Sequence, residues 1–152
     1  MGKLTGMRYL LPEIEQTLSD DRKMAFIAGP RQVGKTTLAE VLLEKKKEQR
    51  GYFNWDIATD RKQILKNPVF FWQKGEPPPS RIVLDEIHKY PRWKRFLKGL
   101  FDANKREVEI LVTGSGRLDV YQKGGDSLFG RYHLFRLMPF SLGELLRPNG
   151  TP

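Results

Sequence analysis

The chain has 152 residues, enough for one domain with a full core and too few for two comfortable ones. Hydrophobic residues at 39% and charged residues at 30% exclude an extended disordered chain, and no apolar run approaches the roughly 18 residues that span a bilayer. A net charge of +9 raises DNA phosphates as possible partners, while the lack of cysteine excludes disulfides and thiolate metal sites and suits a reducing, cytoplasmic setting.

Helical spacing of Leu10, Leu11, Ile14 and Leu18 predicts a short helix near Leu10–Leu18. The apolar run Met24-Ala25-Phe26-Ile27-Ala28 then predicts a buried strand over Met24–Gly29. Directly after it, Gly29-Pro30-Arg31-Gln32-Val33-Gly34-Lys35-Thr36 fits G-x-x-x-x-G-K-[ST] without a mismatch. That pattern is the phosphate-binding loop of nucleoside triphosphatases. The following residues, with Leu38, Val41 and Leu42 at helical spacing, read as a helix, so the loop joins a strand to a helix as its function requires.

The residue types explain the chemistry. Gly29 and Gly34 can take backbone angles closed to other residues, which lets successive N–H groups turn inward around an anion. The helix that starts at Lys35 adds the positive end of its dipole. Lys35, expected as an exposed loop side chain, can reach the β- and γ-phosphates, and the Thr36 hydroxyl can ligate Mg²⁺. Thr37 is counted with the nucleotide-binding positions Gly29 to Thr36, as a first-turn helix residue rather than a metal ligand.

Further strands are expected at Tyr52–Asp56, Arg81–Asp85, Val108–Thr113 and Tyr132–Leu137, alternating with helices as in an α/β fold with a largely parallel sheet. After the second strand, Thr59 is placed as an N-cap, and Asn67-Pro68 interrupts the helix that follows. Pro91 suits the first turn of a helix in which Trp93, Phe96, Leu97, Leu100 and Phe101 recur at core-facing spacing. Two basic clusters, Lys45-Lys46-Lys47 and Arg92/Lys94/Arg95/Lys98, read as a helix end and a solvated helix face. Gly124-Gly125-Asp126-Ser127 reads as a mobile loop. His88 and His133 make no recognisable metal motif, and solvent or core roles are expected for both.

Arg81-Ile82-Val83-Leu84-Asp85-Glu86 is a strand that ends in two acidic residues, the pattern of a Walker B segment. In a parallel α/β sheet the ligand lies beyond the carboxyl ends of the strands, where both carboxylates fall. Asp85 then holds Mg²⁺, directly or through water, and Glu86 polarises the attacking water as general base. Three readings follow: a Mg²⁺-dependent ATPase acting as motor or switch, a nucleotide-gated DNA-binding module with little hydrolysis, and a small-molecule kinase. The Asp85-Glu86 pair argues against the kinase, which has no need of a base aimed at water.

The Gly29–Thr36 string, with Leu84-Asp85-Glu86-Ile87, Leu111-Val112-Thr113-Gly114-Ser115, Leu128-Phe129-Gly130-Arg131 and Met138-Pro139-Phe140-Ser141-Leu142-Gly143-Glu144, resembles the ATPase domain of a bacterial and archaeal AAA-like family. The resemblance covers nearly the whole chain. It implies an α/β P-loop fold with a five-stranded parallel sheet of order 5-1-4-3-2, with ATP and Mg²⁺ as cofactors. Ser115, preferred over Thr113, falls at the sensor 1 position, where a hydroxyl contacts the attacking water or the γ-phosphate. Arg131 falls at the start of the fifth strand, away from its own loop. An arginine there can serve the nucleotide of a neighbour in a homo-oligomer. Family members continue into a winged-helix region and a C-terminal domain of unknown function, so residues 1–152 are expected to be one domain at the N-terminal part of a longer protein.

Overall fold

A computed structural model of the chain describes residues 10–30, 34–45, 49–104, 107–115, 118 and 128–137. Arg31, Gln32 and Val33 of the phosphate loop, Lys46 and Lys47, the Gly124–Ser127 loop and the Met138–Glu144 string lie outside the described residues.

Five strands form a parallel sheet: β1 (Met24–Ala28), β2 (Tyr52–Asn54), β3 (Arg81–Asp85), β4 (Glu109–Gly114) and β5 (Tyr132–Arg136). Their order is β2-β3-β4-β1-β5, the expected order read from its other edge. The central strands β1 and β3 are buried along their whole length, as strands covered on both faces must be. Because side chains alternate across a strand, the apolar residues divide between the two faces. Met24, Phe26, Ile82, Leu84, Ile110 and Val112 pack on one side against helix α4 (Trp93–Asn104), through Phe96, Leu97 and Leu100, and against Ile64 of helix α3 (Ala58–Lys66). Ala25, Ile27, Val83 and Leu111 face helix α1 (Leu11–Glu15) and helix α2 (Lys35–Lys45) on the other side. No described helix is long and apolar enough to cross a membrane.

Element boundaries differ from expectation where local bonding takes over. β2 stops at Asn54 rather than Asp56, because the Asn54 side chain accepts from the Asp56 amide and the Asn54 carbonyl accepts from Ile57, which turns the chain. β4 extends to Gly114 and β5 ends at Arg136. The first helix continues as a π-helical turn, Gln16–Asp20, that keeps Thr17 and Leu18 buried with Ile14. Thr59 is not the N-cap of α3. Ile57 occupies that position without a side-chain cap, and Asp60 accepts from the Asn54 amide instead. Asn67 does end α3. Pro91 lies in the turn before α4, which begins at Trp93. The apolar stripe of α4 is buried as expected, and Arg92, Arg95 and Lys98 face solvent.

Among the described residues the largest fully buried side chain is the cationic one of Arg81, at the start of β3. Its guanidinium donates to both carboxylate oxygens of Glu15 at 2.8 and 2.7 Å, to Glu109 at 3.1 Å and to the Leu42 carbonyl at 2.9 Å. Leu42 lies in the last turn of α2, whose carbonyls have no partner within the helix. Burial disfavours the guanidinium charge, yet the Glu15 hydrogen bonds and the two carboxylate charges outweigh it and hold its pKa above the ordinary value. Arg81 thus pins α1, α2, β3 and β4 together at the end of the sheet remote from the phosphate loop. Removing Arg81 takes the shared donor from two partly buried carboxylates and a helix-end carbonyl, at a cost of about 3–5 kcal/mol. Arg81→Ala is therefore expected to lower the urea midpoint by that equivalent. A loss below about 1 kcal/mol, the value of an exposed pair, would contradict this account.

Candidate functional site

Parallel pairing brings three strand ends together at one edge of the sheet. Ala28 lies beside Gly114, and Asp85 lies beside Thr113. The start of the loop after β1, the acidic pair at the end of β3 and the small polar residues at the end of β4 therefore converge, as the sequence led one to expect.

Within the loop, Gly34 has a φ of 94°, the left-handed region that favours glycine. Gly29 does not share it. Its amide still donates to the Gly114 carbonyl at 3.3 Å, so the backbone at Gly29 continues the sheet pairing. Pro30 and Gly34 are described on either side of Arg31, Gln32 and Val33, and Thr37 is a half-buried first-turn residue of α2. Lys35 is not an exposed side chain. It is the first residue of α2 and is buried, with Nζ donating to the carbonyls of Gly29 at 2.6 Å and Pro30 at 2.9 Å. The ammonium is thereby held against the backbone that follows β1, at the head of α2.

The carboxylate of Asp85 is buried and accepts from three hydroxyls. Thr113 donates to Oδ1 at 2.7 Å, Thr36 approaches Oδ2 at 3.5 Å, and Tyr52 donates to the same Oδ2 in a short hydrogen bond. Burial, then the hydrogen bond to Asp85 and its negative charge, push the Tyr52 phenol well above its usual pKa, so it stays protonated and a donor. Thr36 and Asp85 are hard oxygen donors of the kind Mg²⁺ takes. Among the described residues no three His, Cys, Asp or Glu side chains cluster into a protein-only metal site.

Glu86 follows in the left-handed region, with φ 62° and ψ 21°. A non-glycine residue there costs roughly 1–3 kcal/mol and is held by its surroundings. Here the Glu86 amide donates to the Thr113 carbonyl at 2.9 Å, and its own carbonyl accepts from Lys89 at 3.1 Å. The side chain turns out of the strand and is partly exposed. Its Oε2 lies 3.3 Å from Lys89 Nζ and 3.5 Å from His88 Nε2. Lys89 is also gripped by both carboxylate oxygens of Asp56, at 2.9 and 2.8 Å. That hydrogen bond, more than any other contact, raises the lysine pKa. Ser115 is half-buried, with Oγ 3.3 Å from His88 Nε2.

Arg131 stands apart. Its carbonyl accepts from the Met24 amide, at the start of β1, about 13 Å of strand away from the loop at the far end. Its guanidinium makes a two-pronged pair with Asp102 of α4 at 2.8 and 3.1 Å, and this hydrogen bonding holds its pKa above the ordinary value. The structure thus brings Lys35, Thr36, Asp85, Glu86 and Ser115 to one edge and leaves Arg131 at the opposite one.

Sequence reasoning missed Tyr52, His88 and Lys89. Tyr52 pairs in register with Val83, two residues before Asp85 on the same face, and that neighbour relation follows from strand order alone. His88 and Lys89 lie in a 3₁₀ turn, Ile87–Lys89, where no periodicity marks a side chain. The one available signal was their position directly after the acidic pair.

A family model described as an AAA domain matches residues 21–146, which takes in every feature of this edge. No curated protein gives a significant match.

Proposed function

The chain belongs to the AAA domain family and so carries a nucleotide-binding, ATPase-like domain. From that premise we propose that it binds ATP with Mg²⁺ at the Gly29–Thr36 loop and hydrolyses it to ADP and phosphate, as a motor or switch. The observation that carries this reading is the approach of the Thr36 hydroxyl to the buried Asp85 carboxylate, with Glu86 one residue beyond.

In this reading Lys35 and the N-terminal amides of α2 receive the triphosphate, and Lys35 exchanges the Gly29 and Pro30 carbonyls for phosphate oxygens. Thr36 and Asp85 hold Mg²⁺, which neutralises charge on the phosphates when bound. Thr113 and Tyr52 fix the Asp85 carboxylate by donating to its two oxygens. Glu86 takes the proton of the attacking water, and Ser115 contacts that water or the γ-phosphate. Phosphate release from ATP tests the whole. Asp85→Asn is expected to demand a much higher Mg²⁺ concentration for half-maximal release. An unchanged Mg²⁺ dependence would remove Asp85 from the metal site.

Arg131 has a separate proposed role, in a neighbour's site across a homo-oligomer interface, which requires it to leave Asp102. Arg131→Ala is then expected to bind ATP but release phosphate poorly. Mixing it with Lys35→Ala should restore activity, because a mixed interface combines one sound loop with one sound arginine. No recovery in mixtures that demonstrably co-assemble would make Arg131 a structural partner of Asp102.

A further inference from the structure

The residue that joins the two hydrolytic side chains is His88. Its side chain is only 4% exposed, and Nε2 lies 3.5 Å from Glu86 Oε2 and 3.3 Å from Ser115 Oγ. One ring nitrogen therefore faces both the carboxylate that follows β3 and the hydroxyl that follows β4. The ring is seated against Gly114. A Cβ at that position would come within 2.5 Å of Nδ1 and 3.0 Å of Cε1. The absence of a side chain at Gly114 is what lets the imidazole occupy this place.

Contacts to Glu86 have a direction as well. His88 and Lys89 both reach Oε2, from the buried and the solvent side of the same turn. Both contacts hold the carboxylate through the same oxygen, Oε2. Lys89 is exposed and shared with Asp56, so its hold is weak. The buried imidazole is the better fixed of the two anchors.

We propose that His88 is a positioning residue: it sets the orientation of Glu86 and ties it to Ser115, so that base and hydroxyl address the same water. The imidazole takes no proton from the water and touches neither nucleotide nor metal. This inference rests on the proposed role of Glu86 as base. Misplacing a catalytic group by about 1 Å can cost on the order of 10² in rate, so a lost anchor should be visible in turnover.

The test compares turnover and Mg·ATP affinity in the parent, His88→Ala, His88→Gln, Gly114→Ala and Glu86→Gln. His88→Ala is expected to lower turnover about tenfold or more with affinity within about twofold. His88→Gln, which keeps a polar group near the Nε2 position, should recover much of the loss. Gly114→Ala should reproduce His88→Ala by displacing the ring, and combining the two should add little. Adding His88→Ala to Glu86→Gln should also cost nothing more, because the side chain it positions is already disabled. A second readout needs no activity. The chain has only two histidines, so the imidazole NMR signals of His88 are identified by their loss in His88→Gln. They should shift in both Glu86→Gln and Ser115→Ala, while those of His133 stay in place.

Full turnover in His88→Ala, a parallel loss of affinity, or His88 signals indifferent to Glu86→Gln would each overturn the proposal. Glu86→Gln turning over like the parent would instead overturn the base assignment, and with it the positioning role, even if the imidazole signals report the contact.

Discussion

Lys35→Ala is expected to lower the affinity for Mg·ATP by about tenfold to a hundredfold. Hydrogen bonds to charged groups are worth about 1.5–3 kcal/mol, and each 1.4 kcal/mol is about a factor of ten in affinity. The geometry puts the ammonium where this term is largest, buried and within 3 Å of two loop carbonyls at the head of α2. Burial also means that the substitution is not silent for the fold, because two carbonyls lose a donor. That loss should cost about 1 kcal/mol, too little to unfold an ordinary domain. The measurement is therefore paired: a nucleotide titration for affinity and a denaturation curve for integrity. A folded variant that binds Mg·ATP like the parent would show that the loop is not the phosphate site.

Glu86→Gln should separate binding from chemistry. Glutamine keeps the size and the hydrogen-bonding reach toward His88 and Lys89 but cannot accept a proton. Mg·ATP affinity should stay near that of the parent while turnover falls by about 10² to 10⁴, the usual contribution of a general base. The backbone supports the same role. A left-handed glutamate at the end of a buried strand is a costly conformation, and the hydrogen bond its backbone N–H donates to the Thr113 carbonyl holds it in a place where its carboxylate leaves the sheet. Unchanged turnover in this variant would move the base elsewhere.

Much of this was legible in the sequence because it depends on order along the chain. Buried apolar runs mark β1 and β3, and the residues directly after them are fixed in place by chain connectivity. Lys35, Thr36 and the Asp85-Glu86 pair therefore come to one edge of the sheet once the strands are read. Relations across the sheet were not legible from the residues themselves. Tyr52 reaches Asp85 because β2 pairs with β3, and His88 reaches Ser115 because β3 pairs with β4. The burial of Lys35 was missed for a related reason. The pattern specifies a lysine at the helix start, but its carbonyl partners depend on how the loop curls. Arg81 shows the limit most clearly. Its charge in an apolar strand gives no hint of three partners drawn from α1, α2 and β4.

Calorimetric titration of the chain with ATP, with and without Mg²⁺, tests the central claim most directly. Binding of one ATP per chain, tightened by Mg²⁺ and lost in Lys35→Ala, is the expected result. It follows from the proposed roles of the loop in holding the phosphates and of Thr36 and Asp85 in holding the metal. No binding at millimolar ATP, or binding that neither Mg²⁺ nor Lys35 affects, would contradict it.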